Sequence, residues 1–580
     1  MGVFDWDYTL PRLPVPELAA ACDSLKEMIR PLVSEEEWQK TSRLLEEFAA
    51  ATGAGPRLQE ELLAWQESRP ANSSWLRPIW DDSYLAFRGR VPTDLSYNLQ
   101  LDQHQWPQPA LPALIYGFCA AIGEIADGSF PVETGKAGPL SMDTLRCMFY
   151  TRIPCKGKDL MHRCFLAGPL SAAVVCRGNW YLLPLTDEKG RIYQPAAIQK
   201  ALHDIKGQAA GSAGLPAAVD PIGAMTCAKR DRAAIIRQQL MEHPLNRHSL
   251  GAIEQAHFVI CLDDQEISSA RLIGGESCNR WFDKSVQIIA GPGGDMGLNL
   301  EHAGCDAGMW LWFIGRSLEL ANAIESAFEG VKPKPRYLPW CLKAETQEAL
   351  KGEEREYDQI LKNMTTAQKG IKTITRQQLK KQGCYPDAFV QLLFQVAYYK
   401  LAKSYPSVYE SVSVRGFYEG RTECVRPCSA AAKDFVVSYV AGREKGVLER
   451  PLLQAKYRQA EQEHHRRIAA SQAGLGPERH LYGLAAIGEM KGRAALLPLL
   501  EDEGYRVLRH NTLSTSSVVA PAVDFFSFAP VVADGLGIGY GLKQDSLQLA
   551  VAAYEASGVR ARQYLDLVEQ EAAVLLDLLG

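Results

Sequence analysis

The chain has 580 residues, of which 47% are apolar and 23% are charged. This length is large for one hydrophobic core, so we expect two domains of a few hundred residues each. The formal net charge of -5 at pH 7 provides no overall basic field for nucleic acid or an anionic membrane, and we expect neither as a partner.

The cysteines and the chain ends bear on the cellular compartment. The 14 cysteines are scattered singly, as at Cys119 and Cys261, which is typical of reduced thiols in a cytosolic protein. The N-terminus carries acidic residues and prolines where a signal peptide needs a basic start and an apolar run. We find no apolar stretch of transmembrane length. We therefore expect a cytoplasmic protein.

The predicted elements begin with two helices, over residues 16–33 and 34–52. In the second, Ser34 is followed by Glu37, a pair that resembles a capping box. Residues 71–343 then mix β-rich runs, at 171–185 and 256–264, with helical segments such as 230–243. This mixture predicts an α/β or α+β domain.

A long charged helix follows. From Ala344 to about Lys381, acidic residues precede basic ones at helical spacing, which predicts a crossing between domains. An apolar helix at 386–405 and glycine-punctuated strands come next, and a last helix spans 557–579. One face of that helix is apolar and should pack on the domain: Ala561, Tyr564, Leu565, Val568, Ala572, Leu575 and Leu579.

The passage 279–308 carries the strongest chemical signal. Two predicted strands, Ser285 to Ala290 and Met296 to His302, flank a GPGG turn, so His302 should lie at a strand end with Asp306 four residues behind it. An imidazole is well matched to removing a proton near neutral pH, and a carboxylate can fix its tautomer. His302 is therefore a candidate general base, with Asp306 as its partner.

Other interpretations of the histidines remain open at this point. His302 could be a loop residue with a satisfied hydrogen bond, or a zinc ligand with Cys305 and Asp306. The zinc site is the least favoured of these, because the chain has no C-x-x-C, and we expect no metal. His464 and His465 lie among charged residues, a pattern that predicts a solvated helix face.

Segments spread along nearly the whole chain resemble the choline/carnitine acyltransferase family. They occur in the family's order: LPRLPVPEL at 10–18, SSWLRPIWDDSYLAFR at 73–88, NRWFDKSVQIIAG and EHAGCDAG around His302, KKQGCYPDAFVQLLFQVAYYK at 380–400, VYESVSVRGFYEGRTE at 408–423 and LSTSSVVAPAVDFFSFAPVVADGLGIGY at 513–540. Several matches in one order are far more specific than a single motif.

The resemblance implies an α/β fold of two domains with mixed sheets, related to chloramphenicol acetyltransferase, with an active-site tunnel at their interface. Residues 1–70 would form N-terminal helices that belong to the C-terminal domain. Residues 71–343 would form the N-terminal domain with the catalytic histidine, and 344–580 the C-terminal domain with the coenzyme A and carnitine sites. We expect a monomer without a permanently bound cofactor, which uses coenzyme A or acyl-CoA as a substrate.

The resemblance also implies a mechanism. His302 would take the proton from the acceptor hydroxyl, or from the coenzyme A thiol in reverse, and the hydroxyl would attack the thioester without an acyl-enzyme. Asp306 matches the orienting carboxylate, and Ser516 matches the hydroxyl that stabilises the oxyanion. The loop departs from the family's pattern: Gly304 and Cys305 make it smaller, and Gly308 replaces a common proline, so histidine placement should differ slightly.

Substrate contacts are carried over in the same way. Carnitine has a carboxylate that choline lacks, and Arg479 matches the arginine that faces it. The other residues that match the family's carnitine site are Tyr84, Tyr409, Ser411, Thr422, Ser514 and Phe528. Phe528 would face the trimethylammonium group. Coenzyme A would contact Arg376, Lys380 and Asp387, and the positive charges of the first two suit its phosphates.

Acyl length is predicted from one position. Phe526 stands where the family's long- and medium-chain members have glycine, and a phenyl ring fills volume that several acyl carbons need. We therefore expect a carnitine acyltransferase specific for acetyl or another short acyl group. The alternatives are a choline acetyltransferase, an acyltransferase for another small hydroxylated zwitterion, and a non-catalytic acyl-CoA-binding relative.

Overall fold

The computed structural model describes residues 2–70, 73–212, 220–324, 332–493 and 498–580. Within these residues the fold is α/β with two mixed sheets, which confirms the predicted class. The helices are α1 Leu18–Ile29, α2 Glu35–Ala49, α3 Ala54–Glu67, α4 Arg77–Ala86, α5 Val91–Asp94, α6 Ala110–Asp127, α7 Pro195–Gly207, α8 Arg230–Met241, α9 Pro244–Gln255, α10 Ser269–Ile273, α11 Ala307–Asn322, α12 Ala344–Lys362, α13 Arg376–Lys381, α14 Pro386–Ala402, α15 Ala430–Lys445, α16 Arg450–Gln472, α17 Pro477–Met490, α18 Glu503–Arg509 and α19 Ala561–Leu579.

The strands supply one large sheet, one smaller sheet and two short hairpins. They are β1 Ser96–Leu101, β2 Thr134–Gly135, β3 Gly138–Pro139, β4 Tyr150–Ile153, β5 Leu160–Arg163, β6 Ser171–Cys176, β7 Asn179–Pro184, β8 Phe258–Leu262, β9 Val286–Ala290, β10 Met296–Glu301, β11 Arg336–Tyr337, β12 Met364–Ile371, β13 Val408–Ser413, β14 Thr422–Val425, β15 Leu513–Ser517, β16 Val523–Ser527, β17 Leu536–Leu542 and β18 Leu547–Tyr554.

The large sheet has eight strands in the order β11-β7-β6-β8-β9-β10-β1-β16. The pairs β6–β8 and β8–β9 are parallel and the others are antiparallel. Its edge strand β16 comes from the last fifth of the chain, whereas the other seven lie between residues 96 and 337. A segment from the C-terminal part therefore completes the sheet that carries His302.

The smaller sheet has the order β12-β18-β17-β15-β13-β14, with parallel pairing of β13, β15 and β17. Strand β15 carries the Ser514–Ser516 motif, and its neighbour β13 carries Tyr409 and Ser411. The sheet thus places two groups of predicted site residues on adjacent strands.

A ladder of buried amides fixes the register beside the site. Gln287 on β9 donates to Asn299 on β10 at 3.0 Å, and Asn299 donates to Asn98 on β1 at 2.8 Å. Asn98 in turn donates to the backbone oxygen of Ser527 on β16 at 3.2 Å. A slip of one residue would leave these buried amides unpaired, so the ladder holds the strands that carry His302 and Phe526 in one register.

Hydrophobic cores lie on the faces of both sheets, and a further cluster surrounds the N-terminal helices. Helices α1, α2 and α3 pack against α17 and α18 through side chains such as Ile29, Leu45 and Leu484. The predicted helix at the C-terminus is α19, and each residue of its predicted apolar face is buried. The domain boundaries stay a prediction.

Two local predictions have clear outcomes. Ser34 caps α2 by accepting a hydrogen bond from the Glu37 amide at 3.2 Å, which confirms the capping signal. The expectation of no stretch of transmembrane length is wrong, since Ala110–Asp127 has 18 residues and a mean hydropathy of 1.4. This helix, α6, lies in the hydrophobic core and packs against α11.

Candidate active site

A cavity of about 370 Å³ brings most of the predicted site residues together. Its walls come from both sheets and from α4, α5 and α11. The predicted residues that line it are Tyr84, His302, Asp306, Tyr409, Ser411, Thr422, Ser514, Ser516, Phe526 and Phe528. Segments hundreds of residues apart therefore converge on one space, while a through-going tunnel stays a prediction.

His302 follows the last residue of β10, as predicted, and its side chain is 34% exposed. Its Nδ1 lies 3.3 Å from the backbone oxygen of Cys305 and 3.6 Å from Oδ1 of Asp306. Because a carbonyl oxygen can only accept, Nδ1 carries the hydrogen and the lone pair lies on Nε2. Nε2 is thus the atom able to take a proton.

Arg421, which the sequence interpretation overlooked, holds the base loop in place. Its Nε and Nη2 contact the two carboxylate oxygens of Asp306 at 3.1 and 3.0 Å. The same guanidinium donates to the backbone oxygens of Ala303 at 2.7 Å and His302 at 2.9 Å. Arg421 therefore fixes both the orienting carboxylate and the backbone that carries the base.

The charges around His302 set its protonation. Burial lowers the pKa of His302 below the ordinary 6.5, the Asp306 carboxylate raises it, and Arg421 lowers it. Burial works to raise the pKa of Asp306, but Arg421 outweighs it and brings that pKa down to about 2. At neutral pH the imidazole is therefore neutral and Asp306 is ionised, which is the state that a general base needs.

Gly304 is required by close packing beneath the loop. A Cβ there would lie 2.5 Å from the backbone oxygen of Cys147 and 2.5 Å from the Tyr150 ring. The Gly304 amide donates to the Tyr150 hydroxyl at 3.0 Å, and the Ala303 amide donates to the Glu301 carboxylate at 3.0 Å. The small loop is therefore supported from below.

Aromatic side chains surround the base. The His302 ring lies 5.4 Å from the Tyr84 ring and 4.9 Å from the Tyr97 ring, which meets it edge-on. Tyr97, which the sequence interpretation also overlooked, is 6.0 Å from Phe526, and Phe526 is 5.5 Å from Phe528. These rings form a continuous apolar wall on one side of the cavity.

The opposite wall is polar. Ser516 on β15 and Ser411 on β13 face each other with their hydroxyl oxygens 3.4 Å apart. Thr515, between Ser514 and Ser516, points the other way and donates to the backbone oxygen of Tyr409 at 2.8 Å. Ser514 and Ser516 share one face of the strand. Thr515 also borders the cavity, but its hydroxyl ties the two strands together.

Arg479 lies just behind this wall and not at the cavity surface. Its Nη2 is 3.4 Å from the Tyr409 hydroxyl, and its guanidinium stacks 4.0 Å from the centre of the Trp80 ring. Trp80 and Tyr409 both line the cavity. Among the residues that the structure describes, Arg479 forms no salt bridge, and its Nε is buried without a hydrogen-bond partner.

Two acidic residues near Arg479 do not neutralise it. Glu478 is occupied by Arg426, which donates to it from Nη2 at 2.6 Å. Glu423 is buried, and burial raises its pKa to about 7 although Arg479 lowers it. The pocket around Arg479 therefore keeps a net positive charge below neutral pH.

The predicted coenzyme A residues lie outside this cavity. Arg376 and Lys380 are exposed on α13, one turn apart. Asp387, at the start of α14, accepts from the Tyr540 hydroxyl at 2.7 Å and contacts His464 Nε2 at 2.9 Å. The prediction of a solvated His464 is wrong, because α16 turns this residue inward, where it is 5% exposed.

The comparisons with known proteins agree with this geometry. The model of the family described as "Choline/Carnitine o-acyltransferase" matches residues 13–570. This match covers most of the chain, so the protein is an acyltransferase of this class, and the chain belongs to the choline/carnitine acyltransferase family. Coenzyme A or acyl-CoA and carnitine or choline are therefore the substrates to consider.

Curated relatives include members named for different acyl lengths. The chain is 28% identical to carnitine O-palmitoyltransferase 2 of Homo sapiens, over 98% of this chain and 92% of that protein. It is 27% identical to carnitine O-acetyltransferase of Rattus norvegicus, over 96% of this chain and 92% of that protein. Overall identity therefore does not distinguish a short acyl group from a long one.

Solved structures give only distant likeness. The trichothecene 15-O-acetyltransferase TRI3 of Fusarium sporotrichioides has a TM-score of 0.37 and 10% identity, over 86% of this chain and 93% of that chain. The first condensation domain of the CDA synthetase has a TM-score of 0.34 and 12% identity, over 90% of this chain and 94% of that chain. We draw no functional argument from them.

Proposed function

We propose that this protein transfers a short acyl group, acetyl, reversibly between coenzyme A and the hydroxyl of carnitine. His302 acts as the general base, and no acyl-enzyme forms. The family membership supports acyl transfer between coenzyme A and a small acceptor. The features of the cavity support the finer assignment.

One observation carries the choice of carnitine as the acceptor. Arg479 is a cation without a carboxylate partner among the described residues, and it touches Tyr409 and Trp80 at the cavity wall. A partly buried cation without a counterion carries a desolvation cost, and a carboxylate from the substrate would relieve that cost. Choline has no carboxylate to offer, so it would leave Arg479 uncompensated.

The chemistry follows from the free lone pair of His302. Nε2 takes the proton from the carnitine hydroxyl while the oxygen attacks the thioester carbonyl. The tetrahedral oxyanion is stabilised by the Ser516 hydroxyl, and collapse breaks the carbon–sulfur bond. The departing thiolate then receives the proton from His302. General-base assistance of this kind contributes about 10²- to 10⁴-fold in rate.

The acyl group would lie against the apolar wall of the cavity. Phe526 on β16 is 5% exposed and lines the cavity between Tyr97 and Phe528. These three rings occupy space that a long acyl chain would need, and forcing carbons into a packed site costs about 1–3 kcal/mol. An acetyl group avoids that cost.

Coenzyme A would place its phosphates on α13. Arg376 and Lys380 lie on one exposed face, and neither forms a salt bridge among the described residues. The reversal Lys380→Glu should raise the KM for acetyl-CoA and leave the KM for carnitine unchanged. An unchanged KM for acetyl-CoA would show that α13 does not bind coenzyme A.

The deciding experiment is an acyl-CoA panel against carnitine and choline, followed by thiol release. We expect acetyl-CoA with carnitine to be the best pair and His302→Ala to abolish turnover. Arg479→Gln should raise the KM for carnitine about 10-fold, because it removes the positive charge that attracts the substrate carboxylate. Choline turnover should not fall.

A matched control is available at another arginine. Arg69 stacks 5.1 Å from the Trp65 ring, outside the cavity, so Arg69→Gln removes a similar contact without touching the site. Its KM for carnitine should equal that of the wild type. If choline is the better acceptor of the wild type, the carnitine assignment is wrong.

A further inference from the structure

Tyr97 on β1 lies between His302 and Phe526. It is 4% exposed and lines the cavity. Its ring meets the His302 ring edge-on at 4.9 Å and lies 6.0 Å from the Phe526 ring. One side chain therefore contacts both the group that moves the proton and the residue that limits the acyl group.

The Tyr97 hydroxyl also reaches the hydrogen-bonding partner of the base. It donates to the backbone oxygen of Cys305 at 3.1 Å. That same oxygen lies 3.3 Å from His302 Nδ1. A carbonyl oxygen has two lone pairs, so it can accept from both donors at once. The hydroxyl thereby fixes the direction in which the carbonyl points.

The other groups of the loop are held by different partners. The Ala303 and Gly304 amides are bound by Glu301 and Tyr150, and Arg421 holds the oxygens of His302 and Ala303. Within the described residues, the Cys305 oxygen receives only the Tyr97 hydroxyl and the imidazole. Without Tyr97, the carbonyl that sets the tautomer of His302 has no other anchor.

We propose that Tyr97 is a positioning residue for the general base and, with Phe526, a residue that limits the acyl group. Its hydroxyl orients the Cys305 carbonyl, and its ring packs between the His302 imidazole and the Phe526 ring. This inference rests on the proposed function of His302 as the base. It explains how a small, glycine-containing loop presents Nε2 in one direction.

The hydroxyl is tested by Tyr97→Phe, which keeps the ring. Misdirecting a catalytic group costs rate more than binding, so kcat should fall about 10-fold while both KM values stay within about twofold. The relative rates with acetyl-CoA and butyryl-CoA should not change, because the ring remains. An unchanged kcat would overturn the positioning role.

Tyr564→Phe is the matched control. The Tyr564 hydroxyl is also buried and donates to a backbone oxygen, that of Phe394 at 3.0 Å, but it lies on α19 away from the cavity. The two variants lose the same kind of hydrogen bond. A fall in kcat that is equal in both would indicate a general loss of stability and would overturn the proposal.

A second readout does not need turnover. In protein labelled with ¹⁵N-histidine, the signal lost in His302→Ala identifies His302, and its nitrogen shifts report the tautomer. We expect the Nδ1–H tautomer in the wild type and in Tyr564→Phe, and a larger Nε2–H fraction in Tyr97→Phe. An identical tautomer in all three proteins would overturn the positioning role even if the enzyme had another substrate.

The role of the Tyr97 ring in limiting the acyl group is tested in combination with Phe526. Tyr97→Leu/Phe526→Gly should transfer longer acyl groups than Phe526→Gly alone, because the tyrosine ring still fills part of the space in the single variant. The measurement is turnover with acyl-CoA substrates from two to ten carbons. Identical chain-length profiles of the double variant and Phe526→Gly would show that Tyr97 does not limit the acyl group. If the wild type acylates neither carnitine nor choline, the proposed function fails, and the tautomer experiment still tests Tyr97.

Discussion

Arg421 donates two hydrogen bonds to the Asp306 carboxylate, at 3.0 and 3.1 Å. Because Arg421 immediately precedes β14, this pair joins β14 to the loop that carries the base. The Arg421 side chain is 3% exposed and that of Asp306 is 10% exposed. A buried pair of this kind resists the loss of one member, because the other charge is left without a partner.

Asp306→Asn should therefore lower the free energy of unfolding by about 3–5 kcal/mol, the cost of breaking a buried pair. Urea unfolding of the single variants and of Asp306→Asn/Arg421→Gln checks this. The double substitution should lower the free energy of unfolding by less than the sum of the two single substitutions, since both remove the same interaction. Additive losses would show that the two residues act independently.

The activity should depend on pH through His302. Burial lowers the pKa of this histidine below 6.5, and only the neutral imidazole accepts a proton. The value of kcat/KM should rise with pH through a midpoint below 6.5 and then level off. Because the Asp306 charge raises this pKa, Asp306→Asn should move the midpoint to lower pH. A midpoint above 7 in the wild type would contradict the assignment.

Glu423 should make carnitine binding weaken at alkaline pH. Burial raises its pKa to about 7, so the carboxyl is neutral at pH 6 and becomes ionised above pH 7, where its charge offsets that of Arg479. The KM for carnitine should therefore rise several-fold between pH 6 and pH 8.5. In Glu423→Gln this rise should disappear. A rise of equal size in both proteins would assign the effect to another group.

The loop glycines should differ in their tolerance of a methyl group. Gly304→Ala places a Cβ 2.5 Å from the Cys147 oxygen, whereas a Cβ at Gly308 has Arg415 Nη1 as its nearest neighbour, at 3.8 Å. We expect Gly304→Ala to lower kcat at least 10-fold, because a displaced loop moves His302. Gly308→Ala should keep wild-type kcat, and equal effects would contradict this account of the loop.

Local features of the site could be predicted from the sequence, and partners distant along the chain could not. The two strand-like runs on either side of GPGG placed His302 at a strand end, where the structure has it. Arg421 carries no local signal, since its partner lies 115 residues earlier. His464 was misassigned because the environment of a helix face depends on what packs against it. The family resemblance supplied the long-range register, and Tyr97 lay outside its motifs.

Phe526 should set the length of acyl group that the cavity accepts. Phe526→Gly removes a ring that is 5% exposed at the cavity wall, between Tyr97 and Phe528. The space released should admit longer acyl groups, so octanoyl-CoA should become a substrate while acetyl transfer falls. Phe526→Leu keeps most of the volume and should retain the short-chain preference. The check is the ratio of kcat/KM for octanoyl-CoA to that for acetyl-CoA, and negligible octanoyl transfer by Phe526→Gly would show that the gate lies elsewhere.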